Sequence, residues 1–210
     1  MGKSTVGAML SHHGVPVHEA DHAVHQLMSL KGEARPAIAA AFPYFEYPEI
    51  YVRKTKEFDR AAFGKIIFAD DEKRAYLESI LHPLVRMKQA EFIAEHRAKG
   101  RIIVCLDIPL LFETGAERCV DKVVCASAPY FLQKQRVMAR PGMSAEKFAD
   151  ILARQMPDAE KRRRSDYIIE TGLGRAHSMR QVRQMVEELR AAMRGDAEDT
   201  PPFEEIEIYS

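Results

Sequence analysis

The residues best suited to chemistry stand at the front of the chain. Gly2-Lys3-Ser4-Thr5 matches the closing half of G-x-x-x-x-G-K-[ST], a loop whose backbone amides cradle phosphates while its lysine and hydroxyl serve the outer phosphates and Mg²⁺. Four residues recur by chance, so their context decides. Val6, Met9 and Leu10 follow at helical spacing and Gly14 supplies a stop. A helix therefore begins as the motif ends, and the amides of its first turn, with the positive end of its dipole, favour an anion. On this reading Lys3 reaches the β- and γ-phosphates of a nucleotide and the Ser4 hydroxyl ligates Mg²⁺.

Two carboxylates and two arginines extend the pattern. Asp107 closes the apolar run Ile102-Ile103-Val104-Cys105-Leu106, and open α/β sheets bind ligands at the carboxyl ends of their strands. It reads either as a turn or cap residue or, beside a phosphate loop, as a support for the metal and its waters. Asp21 follows a short extended segment, Val15-Pro16-Val17-His18. It suits the carboxylate that accepts a hydroxyl proton during phosphoryl transfer, and it suits the N-cap of the next helix equally. Arg136 and Arg140, four apart ahead of Pro141-Gly142, are the guanidinium groups a mobile lid would lay over phosphates. A second helix there ends in Arg154-Gln155, and most of Lys161-Arg162-Arg163-Arg164 is assigned to solvent.

One motif competes. His18-Glu19-Ala20-Asp21-His22 matches H-E-x-x-H, in which two histidines one helical turn apart bind zinc. That geometry needs one helix through both, whereas Val-Pro-Val reads as a strand ending at His18. Coincidence is the favoured reading. The other histidines, apart from His82, are expected at the surface.

The elements that position these groups alternate. Helical stripes cover Ala23 to Met28, Phe131 to Ala139, Phe148 to Leu152 behind a Ser144 cap, and Val182 to Leu189. Strand-like runs fall at 102–107, 122–126 and 167–169. Strands separated by helices imply a parallel sheet with right-handed crossovers. Between about 33 and 99 the pattern turns helical, with an aromatic, proline-rich loop at 42–52. Asp59 caps one helix, Asp70 or Asp71 the next, and Pro83 is expected to open a third.

Composition bounds the rest. With 210 residues, 46% hydrophobic and 30% charged, the chain suits one α/β core with a smaller module. Its net charge is zero, and six acidic residues without a basic one in 195–210 leave +6 on the remainder. That body suits a small polyanion and is too weakly basic to argue for nucleic acid. Cys105, Cys119 and Cys125 lack paired metal-ligand spacing and read as reduced residues of a cytoplasmic protein. No membrane span or signal peptide is recognisable.

Together, GKSTVGAMLSHHGVPVHEADHAVHQL, LHPLVR, LDIPLLFETG and RVMARPGMSAEKFADILARQMPDAEKRRRSDYIIETG resemble dephospho-CoA kinase, especially its alphaproteobacterial members. The resemblance runs from Gly2 to about residue 193. It implies an α/β fold of the P-loop NTPase type: a parallel sheet with helices on both faces, a helical substrate-binding domain and a helical lid. The core is expected at 1–32 and 100–195 with the lid at about 130–160, the dephospho-CoA-binding domain at 33–99, and a disordered acidic tail at 196–210. The implied reaction is transfer of the γ-phosphate of ATP, with Mg²⁺, to the 3′-hydroxyl of dephospho-CoA, completing coenzyme A.

Residue by residue, the resemblance implies Asp21, Lys3 and Arg140 as catalytic. ATP would be bound by Gly2, Lys3, Ser4, Thr5, Arg136, Arg140, Thr171 and Gly172. The substrate would be bound by Asp21, His82 and Arg86, and Mg²⁺ by Ser4 and Asp107, the latter through water. The chain departs from the family in having Glu19-Ala20-Asp21 for D-A-D, and Glu170-Thr171-Gly172 where some members have N-x-G. A first strand and the opening of the loop are also expected upstream, which would make Met1 an internal methionine; the chain as written would then fold poorly and bind ATP weakly. Two weaker readings are a zinc peptidase and a non-catalytic remnant that binds CoA-like ligands.

Overall fold

The computed structural model describes residues 2–139, 142–153 and 155–195. Arg140, Arg154 and the acidic tail, on which three expectations fall, lie outside them. The chain divides into two units. The first comprises residues up to 16, 101–105 and those from 110 onward; the second comprises 17–100 and 106–109.

In the first unit, α1 (Lys3–His12) starts at the phosphate-loop motif and packs on α9 (Arg175–Gly195). Their apolar stripes supply Met9, Val182 and Val186, each almost fully buried. The chain enters β3 (Val124–Ser127) and returns, after α6 (Tyr130–Met138), α7 (Ala145–Ala153) and α8 (Asp158–Arg164), as β4 (Tyr167–Glu170). β3 and β4 pair in parallel, with Val124 opposite Tyr167 and Ser127 opposite Glu170. Asp166 fixes this register. Its carboxylate accepts from the Val123 N–H at 2.8 Å and pairs with Lys122 at 3.1 Å. These contacts, the Val123 amide first, hold its pKa below the usual carboxylate range.

In the second unit, β1 (Val17–Glu19) leads directly into α2 (Ala20–Leu27), followed by α3 (Arg35–Ala41), α4 (Arg60–Ala69) and α5 (Asp71–Ala98). Asp59 and Asp70 cap α4 and α5 as the sequence predicts, each carboxylate accepting from two first-turn amides at 2.9–3.0 Å. The proline-rich loop is a core element. Ile50 is fully buried; Tyr51 bridges Phe58 and donates its hydroxyl to the Phe42 carbonyl at 2.6 Å. Phe63 lies edge-on to Phe42 at 5.0 Å and stacks on Phe58 at 5.5 Å.

Three sequence expectations change here. Pro83 opens no helix but lies inside α5. A proline there removes one backbone bond, at about 3 kcal/mol. The helix persists because Leu77 and Leu81 before it and Leu84 and Val85 after it all pack into the same core. The strand expected over 102–107 is only β2 (Cys105–Asp107); Ile102 is 53% exposed, so the front of that run has no sheet to join. Finally, the described strands form two pairs, β1 with β2 and β3 with β4, rather than a single parallel sheet. Strand pairing therefore supplies less of the framework than expected, and helix packing more. Among the described residues no helix is long and apolar enough to cross a membrane.

His18 is half-buried, its ring edge-on to Phe92 at 5.3 Å. Burial lowers its pKa, with the nearby His22 adding to the effect against a backbone hydrogen bond. An unfolded chain therefore binds this proton more readily, so the stability tied to neutral His18 is complete above about pH 6.5 and is lost as pH falls through its lower folded value. His18→Gln should flatten the decline in urea midpoint between pH 7.5 and 5, and an unchanged slope would contradict this. Phe63→Ala should cost about 3–5 kcal/mol in the same titration.

Candidate active site

The motif Gly2-Lys3-Ser4-Thr5 occupies the start of α1 as the spacing requires. Gly2 is the N-cap, in a left-handed conformation (φ 107°), and has no side chain of its own to cap the helix. Lys3, Ser4 and Thr5 form the first turn and are exposed. That turn carries no acidic residue to offset the positive end of the helix dipole.

Behind the turn stands Thr171, just past β4. A Cβ placed on Gly2 would come within 2.8 Å of Thr171 Cγ2. Glycine is thus required twice, by the backbone conformation and by this close approach. Thr171 is hydrogen-bonded from two sides. Its N–H and its hydroxyl both donate to the Ser127 carbonyl, at 2.8 and 3.0 Å. Arg136 donates through Nη1 to the Thr171 hydroxyl at 3.2 Å and through Nη2 to the Thr171 carbonyl at 2.8 Å. Gly172 follows against Pro129 and Leu132, where a Cβ would meet Pro129 Cδ at 2.7 Å.

The first unit thus gathers Gly2, Arg136, Thr171 and Gly172 from three distant stretches of sequence. In this arrangement the Arg136 guanidinium holds Thr171. Arg140 lies outside the described residues.

The second unit carries the remaining expected residues. Asp21 is not the cap of α2. Glu19 occupies that position, and Asp21 sits in the first turn with its side chain exposed. The Cys105 N–H donates to the Pro16 carbonyl at 2.8 Å, joining the N-terminal ends of β1 and β2. Asp107 is the last residue of β2. His82 and Arg86 are exposed four residues apart on α5, hence on one face.

The zinc reading fails on backbone geometry. His18 belongs to β1 and His22 to α2, so no single helix carries both. His22 instead shares a hydrogen bond with Gln26 at 3.0 Å. Among the described residues no three His, Cys, Asp or Glu side chains are placed to hold a metal.

The basic run 161–164 is not the solvated stretch expected. Lys161 pairs with Glu113 at 3.0 Å, and Arg164 pairs with Glu117 at 2.6 Å while lying over the Phe112 ring. Arg162 donates to Ser127 Oγ at 3.0 Å. Only Arg163 is largely exposed, paired locally with Glu160. Burial would raise the Glu113 pKa, but hydrogen bonds from Met156 N–H and Lys161 prevail and hold it low. Sequence reasoning also missed Ser127, Gln133 and Asp158. The strand expected at 122–126 stops one residue short of Ser127, and an apolar run does not advertise a hydroxyl at its end.

A glycine-led helix terminus beside a parallel strand pair fits the class of α/β proteins that handle phosphates. The comparisons specify which kind. The dephospho-CoA kinase family model matches residues 1–174. Dephospho-CoA kinase of Rhizobium meliloti is 49% identical over 191 residues, covering 91% of this chain and 94% of the relative. That of Novosphingobium aromaticivorans is 47% identical, covering 90% of each. The crystal structure of TT1252 from Thermus thermophilus matches with a TM-score of 0.71 and 32% identity, over 89% of this chain and 91% of that one. Dephospho-CoA kinase from Campylobacter jejuni shares the fold, with a TM-score of 0.62 and 24% identity over 90% and 91% of the two chains. The chain belongs to the dephospho-CoA kinase family, and it is accordingly a kinase, a transferase of coenzyme A biosynthesis.

Gly2→Ala should weaken ATP binding about tenfold or more, because the new methyl both strains φ and strikes Thr171. Adding Thr171→Ser, which removes Cγ2 and keeps the hydroxyl, should restore part of that loss. Calorimetric titration with ATP checks both, and an absence of any rescue would refute the steric account.

Proposed function

We propose that this chain transfers the γ-phosphate of ATP to the ribose 3′-hydroxyl of dephospho-CoA, releasing ADP and coenzyme A. The observation that carries the reading is the Gly2-Lys3-Ser4-Thr5 turn, which opens α1 on a left-handed glycine seated against Thr171. A glycine-led first turn without acidic residues suits the triphosphate, and Lys3 suits the charge that develops between donor and acceptor. Thr171 and Gly172 would flank the adenine, with Arg136 holding Thr171 in place, and Arg140 would complete the phosphate contacts.

Asp21 would act as the base. As the 3′-oxygen forms its bond to the γ-phosphorus, the bond to the β,γ-bridging oxygen breaks, ADP departs and the hydroxyl proton passes to the Asp21 carboxylate. The exposed side chain in the first turn of α2 suits this work, since it is open to an incoming hydroxyl. His82 and Arg86, on one face of α5, would hold the substrate. The helical stretch 33–99 would form the substrate domain, 130–160 the lid, and the body around 1–32 and 100–195 the core of a cytosolic enzyme.

Ser4 and Asp107 fit Mg²⁺ in donor chemistry. A hydroxyl and a carboxylate are hard oxygen ligands, and this ion takes few protein ligands while keeping its waters. When bound, it would neutralise charge on the β- and γ-phosphates.

Asp21→Asn should lower kcat by about 10²–10⁴-fold while leaving the KM for ATP within about twofold. A coupled assay of ADP release, run with and without dephospho-CoA, measures both. Full activity in this variant would remove Asp21 from the reaction.

A further inference from the structure

A polar cluster that the reaction scheme does not use lies directly behind Thr171. Ser127, at the end of β3, is 1% exposed. Its hydroxyl donates to Asp158 Oδ2 at 2.7 Å and accepts from Arg162 Nη1 at 3.0 Å. The other Asp158 oxygen, Oδ1, accepts from Gln133 Nε2 at 3.2 Å, and that amide also donates to the Ala128 carbonyl at 2.7 Å. Arg162 reaches Glu170, the last residue of β4, at 3.6 Å. Each hydrogen of the Ser127 hydroxyl and the Gln133 amide has an acceptor, which is the condition under which a buried polar network becomes rigid.

The cluster has two mechanical consequences. Asp158 opens α8 and Gln133 lies in the first half of α6, so their contact ties together the two ends of the 134–157 excursion, which carries Arg136. The same Ser127 that Asp158 grips through its hydroxyl offers its carbonyl to both the N–H and the hydroxyl of Thr171. A displacement of Ser127 is therefore a displacement of Thr171, and Thr171 stands against Gly2.

We propose that Asp158, with Arg162, is a positioning residue for the nucleotide half of the site. It acts through Ser127 to hold Thr171 and Gly172 against the start of α1, and through Gln133 to fix the base of the segment bearing Arg136. This rests on the reading of Gly2 and Thr171 as ATP-binding residues. Asp158 itself touches neither substrate.

The test compares Asp158→Ala and Asp158→Asn with the wild-type protein. Asp158→Ala should raise the KM for ATP about tenfold while the KM for dephospho-CoA stays within about twofold. Asp158→Asn, which keeps one acceptor for Ser127, should fall between the two. Amide hydrogen exchange at Thr171, whose N–H is bonded to Ser127, should accelerate in the same order. Ser127→Ala, which cuts the link at its centre, serves if Asp158→Ala does not fold and should show the same selective effect. A parallel rise in both KM values, a fall in kcat alone, or unchanged exchange at Thr171 would overturn the proposal. The wild-type assay with dephospho-CoA reports separately on the kinase reading, and the exchange measurement needs no turnover.

Discussion

The site depends on the contact between a residue that has no side chain and one that is hydrogen-bonded from two sides. Thr171 is fixed by the Ser127 carbonyl on one side and by the Arg136 guanidinium on another, and its methyl fills the space that a side chain on Gly2 would need. From that contact the position of α1 follows. Its first turn cannot slide toward β4 without striking Thr171, and its apolar stripe is held by α9. The parallel pairing of β3 with β4, registered by Asp166, places Ser127 next to Thr171 in the first instance. Pairing, clasp and helix terminus thus form one chain of constraints within the first unit.

The second unit solves a different problem. It must hold a short strand, the helix bearing Asp21 and a long helix bearing His82 and Arg86, and it does so with an aromatic core. Phe42, Tyr51, Phe58 and Phe63 interlock around a loop that reads in sequence as proline-rich and irregular. Burial of rings at such offset and edge-on geometries adds about 0.5–1.5 kcal/mol per pair beyond the area removed from water.

What was legible in the sequence is what depends on near neighbours. The start of α1 at Lys3, the caps Asp59 and Asp70, and the end of the strand at His18-Glu19 all rest on residues within a few positions of one another. So does the rejection of a zinc-binding helix, since Pro16 breaks the pattern locally. Family motifs extended this reach, singling out Thr171, which the structure places against Gly2. What was not legible depends on distant partners. The run 161–164 looks like a solvated basic face until Glu113, Glu117 and Ser127, all more than thirty residues away, are brought beside it. Pro83 reads as a helix start because propensity is local, while the packing of Leu77, Leu81, Leu84 and Val85 that overrides it is tertiary. The run from Ile102 reads as strand because apolarity is counted without regard to whether a pairing partner exists.

The most direct measurement of the central claim is the fate of the transferred phosphorus. Incubating the protein with ATP, Mg²⁺ and dephospho-CoA and following ³¹P resonances should show ADP and a new ribose 3′-phosphomonoester appearing together in equal amounts. Release of inorganic phosphate in place of that ester, or a phosphoryl group on another hydroxyl, would contradict the account.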